Sequence, residues 1–181
     1  MVSTDHKATH HGVWTTAWGP MGAVCSAEGI TRVILPHYGA DELAALLAWE
    51  HAGTTRDEEP FALLIELSRA YFNGRATDFG PVECVLPGEG SFSGKVLRQC
   101  RRIGYGQSMS YSDLAKRIGQ EDAARAVATA LSKNTIPLVV PCHRVTYANG
   151  EPGGFSAEGG PAFKQRMLAL EAGAKPTGQA R

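Results

Sequence analysis

Cys142 and His143 are adjacent, and together they could do covalent chemistry. A thiolate attacks soft carbon well, and a neighbouring imidazole can take the thiol proton directly or through a water. The pair follows an apolar, strand-like run, Ile136-Pro-Leu-Val-Val140, and then Pro141. Proline suits the first turn of a helix, where the dipole and free N–H groups favour a thiolate. The pattern therefore predicts a strand-like run that delivers a thiol to the start of a helix, with a base beside it. Taken alone, a single cysteine is more often a small buried hydrophobe than a nucleophile.

The elements that would hold this pair lie in the second half of the chain. Ser91 caps a helix over 91–102, with Phe92, Val96, Leu97 and Cys100 inward and Lys95, Arg98, Arg101 and Arg102 left for solvent or phosphate. Ser110-Tyr-Ser-Asp113 fits a capping box and opens a short helix over 111–118. A further helix covers 123–131, and the two make a helix-turn-helix candidate. The second helix is almost bare: Ala123, Ala124, Ala126, Ala128 and Ala130 surround one long side chain, Arg125. Such a surface suits either tight internal packing or close approach to DNA. It lacks the several polar side chains that read a major groove, so a sequence-tolerant groove fits better. A last helix starts at Pro161, with a stripe of Phe163, Met167 and Leu170. Glu171 sits near its C-terminal end, where the dipole disfavours a carboxylate.

The first half carries no recognisable chemistry. Segments 12–18, 22–27 and 30–35 read as an antiparallel meander with turns at Gly19-Pro-Met-Gly22 and Glu28-Gly29. Helices are expected over 41–50 and from Pro60 to Gly74, the second with a stripe of Phe61, Leu64, Leu67 and Tyr71. Residues 51–59 read as a loop and 76–90 as a connection.

Charge divides the chain. Residues 1–90 hold 5 Lys and Arg against 12 Asp and Glu, and residues 91–181 hold 13 against 6. This favours two parts, the second meeting a polyanion, over scattered solvated charge. Four widely spaced cysteines suggest neither a zinc site nor a disulfide framework. His6, His10 and His11 could bind metal but read better as a flexible polar terminus, so no metal is expected. No membrane-length run and no signal-peptide core are present, which makes the cytoplasm the default location and excludes a membrane partner.

Pro-Cys-His-Arg-Val145, with its flanks, resembles the active-site signature of the O6-alkylguanine-DNA alkyltransferases, and the resemblance covers most of the chain. It implies an α+β protein with three parts. Residues 1–80 would be a ribonuclease H-like supporting domain with an antiparallel sheet, 81–90 a linker, and 91–181 a winged helix-turn-helix-type domain with the active site. Tyr71-Phe-Asn-Gly-Arg75 resembles a stretch near the end of that first domain. The resemblance implies transfer of an alkyl group to Cys142 from O6-alkylguanine, with O4-alkylthymine as a second candidate donor. His143 would take the thiol proton through a water, Glu171 would orient His143, Tyr111 would assist the leaving guanine and Asn134 would brace the turn. Arg125 would fill the gap left by a flipped nucleotide, with Ala124, Ala126, Ala128 and Arg144 at the DNA. Pro137, Val145, Phe155 and Ser156 would form the substrate pocket. No cofactor is implied; the partner is double-stranded DNA with the lesion, met by a monomer.

Three departures from the family pattern stand out. Thr135 replaces a proline and should loosen the turn, Phe155 replaces a tyrosine, and the loop over 155–164 looks longer. Two rival readings remain: a protein that recognises alkylguanine without removing the group and recruits other repair factors, and a cysteine hydrolase. The second would need an oxyanion hole, for which no motif is present.

Overall fold

A computed structural model describes residues 7–173. It is a mixed α/β structure. Strands β1 (His10–Thr16), β2 (Gly19–Ser26) and β3 (Gly29–Ile34) form the expected antiparallel meander. Period-2 alternation splits their side chains between two faces. Val13, Val24 and Ile34 pack with Leu43 and Leu47 of helix α1 (Ala40–Glu50). Trp14, Ala23, Cys25 and Val33 join the large core on the other face. There Trp14 Nε1 donates to Ser68 Oγ of helix α2 (Ala62–Phe72) at 2.9 Å.

Three expectations fail in this half. Gly19-Pro-Met-Gly22 begins β2 instead of forming the turn, which falls at Ala17 and Trp18. The 51–59 segment contains a short strand, β4 (Thr55–Arg56), parallel to β1 at His10 and His11 and giving the order β3-β2-β1-β4. His10 and His11 thus belong to a strand, and buried His11 bonds Thr54 Oγ1 through Nδ1 at 2.8 Å. His6 lies outside the described residues. Among the described residues no group of His, Cys, Asp and Glu is placed to hold a metal.

The second half packs helices α3 (Phe92–Arg101), α4 (Tyr111–Arg117) and α5 (Ala124–Ser132) on one another. The caps form as the sequence implies: Ser91 Oγ accepts from Gly94 N and Ser110 Oγ from Asp113 N, both at 3.0 Å. Val96, Leu114 and Val127 are fully buried where the three helices meet, each worth about 2 kcal/mol of apolar transfer. Two-residue strands β5 (Met109–Ser110) and β6 (Val145–Thr146) pair in parallel, and α6 (Gly160–Glu171) closes the half. Since α6 begins at Gly160, the stretch expected to be a longer loop is helical from there on.

The two halves share one core, from Trp14 and Tyr71 to Val127 and Met167. Two arginines expected to face solvent or phosphate help to join them. Arg98 Nη1 donates to Pro87 O, and Arg101 reaches Gly80 O, Val82 O and Cys84 Sγ, so both hold down the connecting segment.

Candidate active site

The segment that carries Cys142 is not a strand. Pro137 and Val140 form an isolated bridge, Val140 N donates to Ile136 O at 3.0 Å, and Leu138 takes a left-handed φ of 76°. Two prolines deny this apolar run a ladder partner, so it coils into a tight buried loop. Pro141 then takes φ −79° and ψ 63°, and Cys142 N donates to Val140 O at 2.8 Å, an inverse γ-turn. Cys142–Arg144 is a single 3₁₀ turn, so no helix dipole acts on the thiol. The loop is tied from outside as well. Thr135 Oγ1 donates to Thr31 O and Thr135 O accepts from Val33 N, both at 2.9 Å, so Thr135 fastens the turn to β3 and does not loosen it.

Asn134 braces the loop from within. Its Nδ2 donates to Val140 O at 2.9 Å and to Cys142 Sγ at 3.2 Å, while its Oδ1 accepts from Ile136 N at 3.2 Å. Cys142 is buried, and burial pushes its thiol up, against the pull of Asn134 and the Lys164 charge. The resting group is therefore a thiol that needs a base, not the dipole-stabilised thiolate expected from sequence.

His143 is fully buried. Its Nε2 donates to Glu171 Oε1 at 2.7 Å, and its buried Nδ1 has no hydrogen-bond partner among the described residues. This is the tautomer a base needs, with a lone pair held on Nδ1. Burial lowers the His143 pKa despite the neighbouring Glu171, so the ring is neutral at neutral pH.

Glu171 closes α6 with its side chain almost completely buried. Burial opposes its ionisation, but the hydrogen bonds and charges of His143 and Arg144 outweigh that and hold its pKa down to about 2. Its partners are unusually many. Oε1 also accepts from Arg144 Nη2 at 3.0 Å and Tyr71 Oη at 2.8 Å, and Oε2 accepts from Arg144 Nε and Gly106 N at 3.0 Å each.

Arg144 was expected at the DNA. It is instead buried, 4 % exposed, with Nη1 donating to Ile103 O at 2.6 Å and the rest of its guanidinium on Glu171. A guanidinium spent this way is not free for phosphate. A carboxylate at the unfavourable end of a helix calls for a cation, and Arg144, next to His143 in sequence, supplies it.

Cys142 opens on a cavity of about 420 Å³ lined by Tyr111, Ala128, Thr129, Leu131, Ser132, Tyr147, Gly154, Phe155 and Ser156. Of the expected pocket residues, Phe155 and Ser156 line it, while buried Pro137 and Val145 do not. Ala128 lines the wall contributed by α5, and Ala126 and Arg125 of the same helix are exposed. Tyr147, also on the wall, stands half-exposed with its ring 5.5 Å from that of Tyr111. Gly153 has φ +70°, and a Cβ there would lie 2.9 Å from Tyr111 Oη, so this position needs glycine on both counts.

Lys164 was also missed. It is fully buried, with Nζ donating to Val145 O at 2.6 Å and lying 3.4 Å from Tyr111 Oη. Burial lowers its pKa to about 8. Its place beside Phe163, on the edge of the apolar stripe, was the available clue.

Residues 91–173 match a family model described as 6-O-methylguanine DNA methyltransferase, DNA binding domain. A methylated-DNA–protein-cysteine methyltransferase of Mycolicibacterium paratuberculosis is 43 % identical over 119 residues, 66 % of this chain and 70 % of that protein. One from Metallosphaera sedula is 32 % identical over 161 residues, 89 % of this chain and 92 % of its own length. The crystal structure of Mycobacterium tuberculosis OGT in complex with DNA superposes with a TM-score of 0.76 at 30 % identity, covering 93 % of this chain and 96 % of that one. The Cys142 loop and cavity therefore belong to a chain that is a member of the methylated-DNA–protein-cysteine methyltransferase family.

Proposed function

We propose that this chain repairs double-stranded DNA by moving the alkyl group of O6-alkylguanine onto its own Cys142, once per molecule. The observation that carries the reading is the buried order Cys142, His143, Glu171 behind a cavity able to take a base. Family membership and the likeness to OGT, whose structure was solved with DNA, give the substrate class.

The thiol proton passes to His143 Nδ1 through a water, and Glu171 stabilises the imidazolium that forms. Sγ bonds to the alkyl carbon as the carbon–O6 bond breaks, and the electron pair leaves with guanine. Tyr111 donates a hydrogen bond to the departing base as charge builds on it. The product is a thioether, which has no leaving route back to the thiol. The alkyl donor is the lesion, so the reading assigns no cofactor. The same residues hold the site ready: Asn134 fixes Sγ, and Lys164 fixes the Val145 carbonyl beside Tyr111.

For a base to enter the cavity it must leave the stack, at a cost of a few kcal/mol. In this reading Arg125 fills the gap, and its exposure on the small-residue face of α5 supports that role. The same reading divides the chain into a ribonuclease H-like part (1–80), a linker (81–90) and a winged helix-turn-helix-type part (91–181). The four-stranded sheet with α1 and α2, and the α4–α5 pair beside β5 and β6, support it.

Intact-mass spectrometry after mixing with a duplex containing O6-methylguanine tests the reading. The expected result is a gain of one methyl group per protein, mapped to Cys142. Cys142→Ser should bind the duplex with unchanged affinity and gain nothing. Methyl removal by Cys142→Ser, or tight binding by the parent chain with no mass gain, would overturn it.

A further inference from the structure

We infer that Tyr71, brought in on α2 from the first half of the chain, is a positioning residue for the reaction. Its hydroxyl occupies the same Glu171 oxygen that holds His143, and so limits how tightly that carboxylate keeps a proton on the imidazole. This inference rests on the reading of His143 as the base.

Tyr71 is fully buried, and its hydroxyl lies 2.8 Å from Glu171 Oε1 and 3.4 Å from His143 Nε2. Oε1 therefore accepts from three groups at once: Tyr71, His143 and Arg144. Each donor stabilises the ionised carboxylate and leaves less of its charge to support an imidazolium. The groups facing His143 are Glu171 and Lys164 from α6, Arg144 and Cys142 from its own turn, and Tyr71 from α2. The Tyr105 ring lies against the Tyr71 ring and 5.9 Å from the Arg144 guanidinium carbon. Glu171 favours the protonated ring, while Arg144 and Lys164 oppose it. Tyr71 is uncharged, and burial next to Glu171 pushes its hydroxyl far above the working range, so it stays a donor throughout.

Ring packing alone would not require the hydroxyl. The Tyr71 ring meets Phe72, Phe79 and Tyr105 edge-on, contacts a phenylalanine would keep. Among the described residues the hydroxyl meets Glu171 and His143 alone, and it stands 72 residues away from His143 in sequence.

The test is the pH dependence of Cys142 alkylation by free O6-benzylguanine, which needs no DNA contact. Tyr71→Phe leaves Oε1 more basic and the imidazole more easily protonated. The acid-side midpoint should move to higher pH, with a rate about threefold lower below the midpoint and a plateau within about twofold of the parent. Incorporation of 3-fluorotyrosine at position 71, a stronger donor, should move the midpoint the other way and keeps the test open should Tyr71→Phe fold poorly. Leu64→Val, two turns away on α2, should lower the melting temperature and leave the midpoint in place. Midpoints unmoved in both position-71 variants would overturn the inference. Glu171→Gln separates the two levels. If it leaves the parent rate and profile intact, the reading of His143 and Glu171 as the base fails. If it slows alkylation while the position-71 variants do not shift, only the role of Tyr71 fails.

Discussion

The two sides of Cys142 are built on opposite principles. Behind it lies a buried polar cluster in which His143, Arg144, Glu171 and Tyr71 are linked by hydrogen bonds. In front lies an open wall of small residues on α5, with Arg125 projecting into solvent. The rear face has many partners per atom and no freedom; the front face has few partners and room for a guest. Low dielectric strengthens the paired charges behind and makes each loss expensive. The small side chains in front cost nothing to approach. The difference teaches that proton handling and lesion recognition are separable here, and substitutions on the two sides should leave different signatures.

The largest effect should come from the rear. Glu171→Gln removes the charge that supports imidazolium formation, and general-base support is typically worth on the order of 100-fold or more. Its rate with free O6-benzylguanine and with lesion duplex should fall by the same factor, while duplex affinity holds. Stability should fall too, by about 3 kcal/mol, because Arg144 is left buried without its counter-charge. A duplex-only loss, measured by single-turnover alkylation on both substrates, would break the separation.

Arg125→Ala probes the front. With extrusion costing a few kcal/mol, loss of the side chain that holds the gap should slow duplex repair by roughly tenfold to 100-fold. Alkylation by the free base should stay within about twofold, since no stack has to open. Equal losses on both substrates would remove Arg125 from base flipping and tie the two faces together.

What the sequence revealed follows the same division. The caps at Ser91 and Ser110 were legible because capping is a local rule of four residues. The meander was legible because alternation on a half-buried sheet repeats every second residue. The pairing of Glu171 with His143 came from resemblance, not from pattern, and no local rule would supply a contact 28 residues apart. Arg144 at the DNA also came from resemblance, and only tertiary structure puts it on Glu171. Ile136 to Val140 was misread because β-prone composition cannot say whether a strand partner exists. Strand β4 was invisible, being two exposed residues that pair through backbone alone.

A pH series should sharpen the comparison with a smaller effect. His143 is buried and held below its ordinary 6.5, so it is neutral above that value and gains a proton only below it. The alkylation rate with free base should be flat near neutrality and fall with a midpoint below 6.5. Stability carries the same sign: the unfolded chain takes up the histidine proton first, so the fold loses support as pH drops below 6.5. A midpoint above 6.5 in the parent would mean that Glu171 outweighs burial at this ring.

The smallest effect tests an arginine that belongs to neither face. Arg101, on α3, was expected to be free for phosphate, yet its guanidinium bonds Gly80 O, Val82 O and Cys84 Sγ in the connecting segment. Charged donors to carbonyls are the stronger hydrogen bonds, but partial exposure reduces their worth, so Arg101→Met should cost about 1 kcal/mol of stability. The salt dependence of duplex binding should stay the same, because a true phosphate ligand contributes close to one unit of the log–log slope and Arg101 contributes none. Alkylation of the free base should also be unaffected, since the bonds of Arg101 go to Gly80, Val82 and Cys84 in the connecting segment. A slope reduced by about one unit would return Arg101 to the DNA-facing surface and extend that surface beyond α5.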